Sequence, residues 1–118
     1  MESLWEKARE TGRLVAQSDE YRAFKRANER LADDRDTVTA INRLSELQEG
    51  ITRTLAQGGE PPEADREEYE RIVSTVQANS TYQGFEAARA NFDRLMMRID
   101  EEIAKGIEAG EQSRIILA

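Results

Sequence analysis

The chain has 118 residues, of which 35% are charged and 38% are hydrophobic, and its formal net charge is −7. This length fits one domain, and so small an apolar fraction predicts either a thin core or a core completed by another copy of the chain. The acidic balance opposes direct nucleic-acid binding, because that affinity comes largely from Lys and Arg neutralising phosphates.

The absence of cysteine and histidine removes several kinds of chemistry. Disulfides, thiolate nucleophiles, Cys/His zinc sites, Ser-His-Asp triads and His acid–base catalysis all need one of these side chains. No apolar run approaches the ~20 residues of a membrane span, and the N-terminus lacks the basic region and apolar run of a secretion signal. The sequence therefore predicts a soluble cytoplasmic protein with no membrane partner.

Two helices are predicted before residue 32. Leu4, Ala8, Thr11 and Val15 recur at about 3.6 residues with Trp5 beside them, which indicates one amphipathic helix. Ser18 is followed by two acidic residues, so it is a candidate cap for a second helix with negative charge in its first turn. Within the first helix a glycine at position 12 predicts the close approach of a neighbouring helix, since glycine otherwise weakens a helix.

Three further helices are predicted around one strong break. The third begins near Asp34 and runs to GGEPPE, whose Pro61 and Pro62 cannot continue a helix. The fourth begins after Pro62 with an acidic first turn. The fifth begins at Ser80, a candidate cap, and carries an apolar stripe over more than three heptads.

The predicted fold is all-α, because period-two alternation is absent. About five helices are expected to form a long helical hairpin with short flanking helices, in a bundle that self-associates. Gly106 and Gly110 are expected to end the last helix. The predicted organisation is a single domain over residues 1–110 and an apolar tail over residues 111–118.

Two stretches nearly repeat each other: YRAFKRANERL, from Tyr21, and YQGFEAARANF, from Tyr82. Each has a second ring three residues later, Phe24 or Phe85, followed after three more by alanine. The repeats are either packing anchors one turn inside a helix start or equivalent docking edges for a partner. Packing is favoured, because two rings and a small residue on one helical face suit a helix crossing.

Two functional interpretations of the acidic residues of the last helix are a metal site and a catalytic carboxylate pair; these residues are Asp93, Asp100, Glu101, Glu102 and Glu108. Di-metal bundles of the ferritin-like kind also use His, and paired catalytic carboxylates need a cleft with unequal environments. The acids are interpreted as a solvated face, and no catalytic, metal-binding or cofactor-binding residue is predicted. No cofactor is expected.

The remaining candidates serve packing or interaction. Three consecutive apolar residues beyond Gly110 are expected to dock on this chain, on a second copy or on another protein. The complete set of predicted interaction and packing residues is Trp5, Tyr21, Phe24, Tyr82, Phe85, Phe92, Met96, Ile115, Ile116 and Leu117.

The run LWEKARETGRLVAQSDEYRAFKRANERLADD, the break GGEPPE and the run NSTYQGFEAARANFDRLMMRIDEEI resemble the YlbF/YmcA (YheA-like) family of small all-helical bacterial regulators. The resemblance extends from about Leu4 to Ile107. It implies a non-enzymatic cytoplasmic protein that self-associates and acts through partners, with no catalytic residue to carry over. The apolar tail extends past the usual helix end of the family.

Better-known members of that family form a complex with one another and with the protein YaaT. They influence mRNA maturation and turnover by ribonuclease Y, and they affect competence, sporulation and biofilm formation. This chain has no cysteine, so the iron–sulfur ligation described for that complex cannot involve it.

The resemblance thus implies a regulatory adaptor whose partners are a second copy in a dimer or tetramer, other family members or a YaaT-like protein. A structural helical oligomer or a protein-binding module with an unrelated client stays open as the alternative. An enzyme that uses carboxylates is disfavoured by the lack of His and Cys.

Overall fold

The structure is a computed structural model that describes the backbone of residues 1–117 and the side chains of residues 1–112. Within these residues the chain forms α-helices and no strand. The helices are α1 (Glu2–Ala16), α2 (Asp19–Asp33), α3 (Arg35–Ala56), α4 (Glu63–Gln77) and α5 (Ser80–Leu117). The predicted all-α class and the order of five helices are confirmed.

The chain divides into two compact units. The terminal unit consists of Met1–Phe24 and Ala88–Ala118, and the central unit is Lys25–Ala87. The boundaries fall inside α2 and inside α5, so each of these helices contributes residues to both units. The proposed limits of a domain at residues 1–110 and a tail at residues 111–118 stay a prediction.

The central unit contains the predicted hairpin, formed by α3 and α4. The turn after α3 is fixed by Gly58, which has a φ of 79°. The N–H of Gly58 donates to the carbonyl of Leu55 at 3.0 Å, and the N–H of Gly59 donates to the carbonyl of Thr54 at 3.0 Å. This pair of hydrogen bonds is a Schellman motif, which satisfies carbonyls that the helix end would leave unpaired. Pro62 then immediately precedes α4.

Packing between α3 and α4 supplies the core of the central unit. Leu47 and Val76 are buried, at 5% and 4% exposure. At the surface of the hairpin, Arg43 donates from Nε and Nη2 to the two carboxylate oxygens of Glu68, at 2.9 and 2.8 Å. These hydrogen bonds hold the pKa of the Glu68 carboxyl below its usual range. The two-point geometry fixes how the helices align, whereas an exposed ion pair adds little stability.

The last helix continues past the point at which the sequence predicts its end. α5 extends through Gly106 and Gly110 to Leu117, so the predicted end is wrong. A glycine ends a helix when it adopts the left-handed conformation that other residues avoid. Among the described residues, Gly58 is the glycine with a positive φ, and Gly106 and Gly110 keep helical geometry.

Candidate interaction surfaces

Three aromatic rings of the terminal unit form a cluster at the first repeat. The ring centroids of Tyr21 and Phe92 are 5.7 Å apart, with the ring planes tilted by 59°. Those of Phe24 and Phe92 are 5.3 Å apart, and the planes are nearly parallel at 2°. Both distances are typical of favourable aromatic pairs. Phe92 on α5 therefore contacts both rings of the first repeat, and all three side chains are half-buried.

Capping at the start of α2 sets the direction of these rings. The Ser18 hydroxyl accepts a hydrogen bond from the backbone N–H of Tyr21 at 3.1 Å, which confirms Ser18 as the N-cap. Asp19 and Glu20 lie in the first turn, where the helix dipole favours negative charge. The cap fixes where the helix begins, and a separation of three residues then places Tyr21 and Phe24 on one face.

The helix of the second repeat is capped by asparagine. Asn79 Oδ1 accepts a hydrogen bond from the backbone N–H of Tyr82 at 2.9 Å, so the prediction that Ser80 caps this helix is wrong. The distance from cap to tyrosine would have identified the correct cap, because Asn79 precedes Tyr82 by the same three residues that separate Ser18 from Tyr21. Asn, Ser and Asp are comparably good caps, so residue type alone did not distinguish the two candidates.

The other predicted interaction residues are divided between the two units. Tyr82 and Phe85 belong to the central unit and are half-buried. Trp5 and Met96 belong to the terminal unit, with 50% and 38% of their surfaces exposed. The predicted docking side chains that lie outside the described residues are Ile115, Ile116 and Leu117.

Large apolar side chains are exposed along α1 and along the distal part of α5, both in the terminal unit. Leu4 on α1 is 53% exposed, and Ile103 and Ile107 on α5 are 56% and 65% exposed. Every residue of α1 except Val15 is exposed, so the described part of the chain leaves this helix largely uncovered. Neighbouring exposed apolar side chains mark surfaces that bind another molecule.

The glycine of α1 lies on the same exposed helix. A Cβ built on Gly12 meets no described atom outside its own helix within 4 Å. The expected close approach of a neighbouring helix at Gly12 is therefore absent from the described part of the chain. The helix nevertheless retains a residue that weakens it by about 1 kcal/mol relative to alanine.

Asp34, Thr37 and Asn79 lie at the starts of two helices in the central unit, and none of them is among the predicted site residues. Asp34 Oδ1 accepts a hydrogen bond from the Thr37 backbone N–H at 3.2 Å, and Oδ2 accepts one from the Thr37 hydroxyl at 2.7 Å. These two hydrogen bonds hold the pKa of the Asp34 carboxyl below its usual range, and the bond from the hydroxyl has the larger effect. Asn79 makes a smaller contribution in the same direction. Asp34 thus caps α3, and Asn79 near it caps α5. An Asp three residues before a Thr was the available signal.

The acidic residues of the last helix lie in solvent, as the sequence predicts. Glu102, for example, forms ion pairs with Arg98 at 3.1 Å and with Lys105 at 3.2 Å. Within the described residues, no group of three or more His, Cys, Asp or Glu side chains is placed to hold a metal ion. None of the described helices is both long enough and apolar enough to span a bilayer.

Comparison with known proteins identifies the family. A family model described as "Control of competence regulator ComK, YlbF/YmcA" matches residues 4–108, which is nearly the whole chain. No curated protein and no solved structure matches the chain. The capped repeats and the exposed apolar helices described above all lie within or overlap the matched residues. The chain therefore belongs to the YlbF/YmcA family, which is described as controlling the competence regulator ComK.

Proposed function

We propose that this protein is a non-enzymatic cytoplasmic regulator that acts by binding other protein chains. The observation that carries the proposal is the set of large apolar side chains exposed on α1 and distal α5. Covering such surface is favourable by about 25 cal/mol per Å² of apolar area. A regulator that works by binding needs an uncovered apolar surface and needs no reactive side chain.

The chemistry of the exposed acids supports the non-enzymatic part of the proposal. Without His or Cys, acid–base catalysis would depend on a carboxyl whose pKa is raised towards neutral pH. The pKa of Glu102 moves the other way, because hydrogen bonding to Lys105 and the nearby charges keep it below its usual range. An exposed carboxylate paired with Lys and Arg behaves as a solvated surface group.

Within this role, we propose that the protein modulates ribonuclease Y-dependent mRNA processing and thereby competence, sporulation and biofilm formation. Its partners would be a second copy of the chain, other family members or a YaaT-like protein. The family's description by control of ComK supports an effect on competence. The net charge of −7 favours an action through protein partners over direct contact with RNA.

Affinity capture from native cells tests this proposal. The bait is the tagged full chain, an equally acidic tagged helical protein is the control bait, and half of each lysate is treated with ribonuclease to remove tethering RNA. We expect ribonuclease Y, a YaaT-like protein or other family members to be enriched on the chain alone, with or without the treatment. Recovery that disappears with the RNA, or an unrelated client in their place, would contradict the proposed pathway.

A further inference from the structure

We propose that one exposed side of α3, in the central unit, binds an amphipathic helix of a different protein along the groove between α3 and α4. The partner helix is about three turns long and carries an apolar stripe flanked by uncharged polar side chains. The inference rests on the proposed function and deepens it, because it names the surface that binds a partner and the chemistry of that partner.

An uncharged strip covers one exposed side of the second half of α3. Each of its residues is exposed and lies three or four residues from another, so all of them share one side of the helix; they are Ser45, Gln48, Thr52, Leu55 and Ala56. The largest apolar member, Leu55, is 55% exposed. From end to end the strip extends over roughly 16 Å, which is the length of about three helical turns.

The charged residues in this half of α3 lie on a different side of the helix. Glu46, Glu49 and Arg53 follow one another at intervals of three and four residues, so they form a line of their own. In a chain of which 35% of residues are charged, this segregation leaves an exposed strip without charge. Depletion of charged residues is what distinguishes the core of a protein–protein interface from the rest of a surface.

A groove between α3 and α4 lies beside the uncharged strip. Its lining residues are Gln48, Ile51 and Thr52 on α3, and Arg66, Tyr69 and Glu70 on α4. The groove has a volume of about 290 Å³. Ile51 and Tyr69 are half-buried, so the inner part of the groove is apolar, whereas its charged side chains are exposed. Gln48 and Thr52 belong to both the strip and the groove, which therefore form one continuous surface.

The chemistry of this surface selects a helix as its occupant. A peptide that adds to a sheet needs a free strand edge, and the described residues form no strand. A proline-rich peptide needs several aromatic rings, whereas Tyr69 is the ring that lines this groove. A phosphorylated segment needs a cluster of arginines, but Arg66 lies one turn from Glu70. The remaining mode is a helix whose side chains fill the groove between two others.

The lack of charge opposes a nucleic acid or a lipid surface as the occupant. Both are bound mainly through Lys and Arg side chains that meet phosphates. The uncharged strip supplies none, and Glu49 lies at its border. Gln48 and Thr52 offer hydrogen bonds to uncharged polar groups, whereas a charge placed against them would lose water without gaining a counter-charge. The centre of the partner helix is therefore apolar or polar without charge.

The area of the surface favours a different protein over a second copy. Leu55, Ala56 and the exposed parts of Ile51 and Tyr69 supply roughly 250 Å² of apolar area. Since about 60% of an interface is apolar, this corresponds to about 400 Å² per partner, half of the roughly 800 Å² in a standard stable interface. Contacts of this size are typical of transient signalling encounters. The surface thus suits a regulator that binds and releases its partner, and it is too small to hold two copies together.

The experiment places a photo-activated cross-linking side chain at Thr52 of the full chain in native cells. The control carries the same group at Thr39, which is also exposed on α3 but lies about 140° around the helix. Mass spectrometry identifies the cross-linked segment, and a synthetic peptide of that segment is titrated against the purified full chain. Thr52→Glu and Thr39→Glu make the same substitution on the two sides of α3, and circular dichroism checks that both remain helical.

We expect Thr52 to cross-link to a segment of a different protein with apolar residues at helical spacing. The peptide should bind wild type and Thr39→Glu equally, and Thr52→Glu at least tenfold more weakly. A cross-link to RNA or to a second copy, no cross-link at Thr52, a segment without that spacing, or equal binding by the two variants would overturn the inference. Protein partners cross-linked from Thr39 alone would overturn it while still supporting the proposed function, so the two failures are distinguishable.

Discussion

At the scale of single residues, Phe92 is the side chain that connects the first repeat to α5. It stacks on Phe24 at 5.3 Å and meets Tyr21 at 5.7 Å, while the alanine of each repeat, Ala27 or Ala88, is buried. The rings are half-buried, so each contributes less to stability than a ring in a closed core. The repeat pattern favours a packing role for these residues, and their contribution to folding or to binding stays a prediction.

Phe92→Ala should lower the free energy of unfolding by about 2 to 3 kcal/mol, because it removes apolar contact and two aromatic pairs at once. Met97→Ala is the matched control on the same helix; its side chain is 62% exposed, so the change should stay within about 0.5 kcal/mol. Urea denaturation of both variants measures the difference. Equal stability of the two variants would show that the cluster does not hold the terminal unit together.

The ionised Asp34 carboxylate makes the stability of the central unit depend on pH in the acid range. Because hydrogen bonds to Thr37 lower the pKa of this carboxyl in the folded state, its stabilising effect is complete above the unfolded pKa, about 3.9. The effect is lost as the pH falls through the lower, folded pKa. Asp34→Asn retains a capping oxygen but does not titrate.

We therefore expect wild type and Asp34→Asn to differ in unfolding free energy by a constant amount above about pH 5, and by a smaller amount as the pH falls below about 4. Chemical denaturation at a series of pH values measures both curves. A difference that stays the same down to the acid limit would mean that the Asp34 charge does not contribute.

At the scale of helices, the sequence predicts where each element begins better than where the last one ends. Ser18 and the acids after it identified α2, and the two prolines after Gly59 identified the end of α3. Gly106 and Gly110 were wrongly read as stops, because a glycine ends a helix only if its backbone turns left-handed. Gly58 does so shortly before prolines that cannot continue the helix, whereas Gly106 and Gly110 are followed by residues that can.

Gly58→Ala should destabilise the hairpin by about 1 to 2 kcal/mol, since an L-residue is strained at a φ of 79°. Gly50→Ala makes the same substitution inside α3, where a Cβ meets no described atom outside the helix within 4 Å. It should stabilise the protein by about 0.5 to 1 kcal/mol. Thermal unfolding of the pair measures the opposite signs. Two variants that shift in the same direction would contradict the assignment of Gly58 as the residue that ends α3.

At the scale of the whole molecule, the sequence predicts the fold class and the family but not the surfaces. Periodicity placed Trp5 on an apolar stripe with other α1 residues, yet a stripe looks the same whether it packs inside the chain or is left open. The exposure of Trp5, Ile103 and Ile107 appears only when the neighbours of each helix are known. The Asp34 cluster also escaped notice, because it joins residues far apart in the sequence.

The family is described by control of the competence regulator ComK, and we expect this chain to share that role. The most direct test is the output of a ComK-dependent reporter in native cells from which the gene has been deleted. Deletion should change the output severalfold, and the reintroduced wild-type chain should restore it at its native abundance. Unchanged output after deletion would contradict a role in the control of ComK.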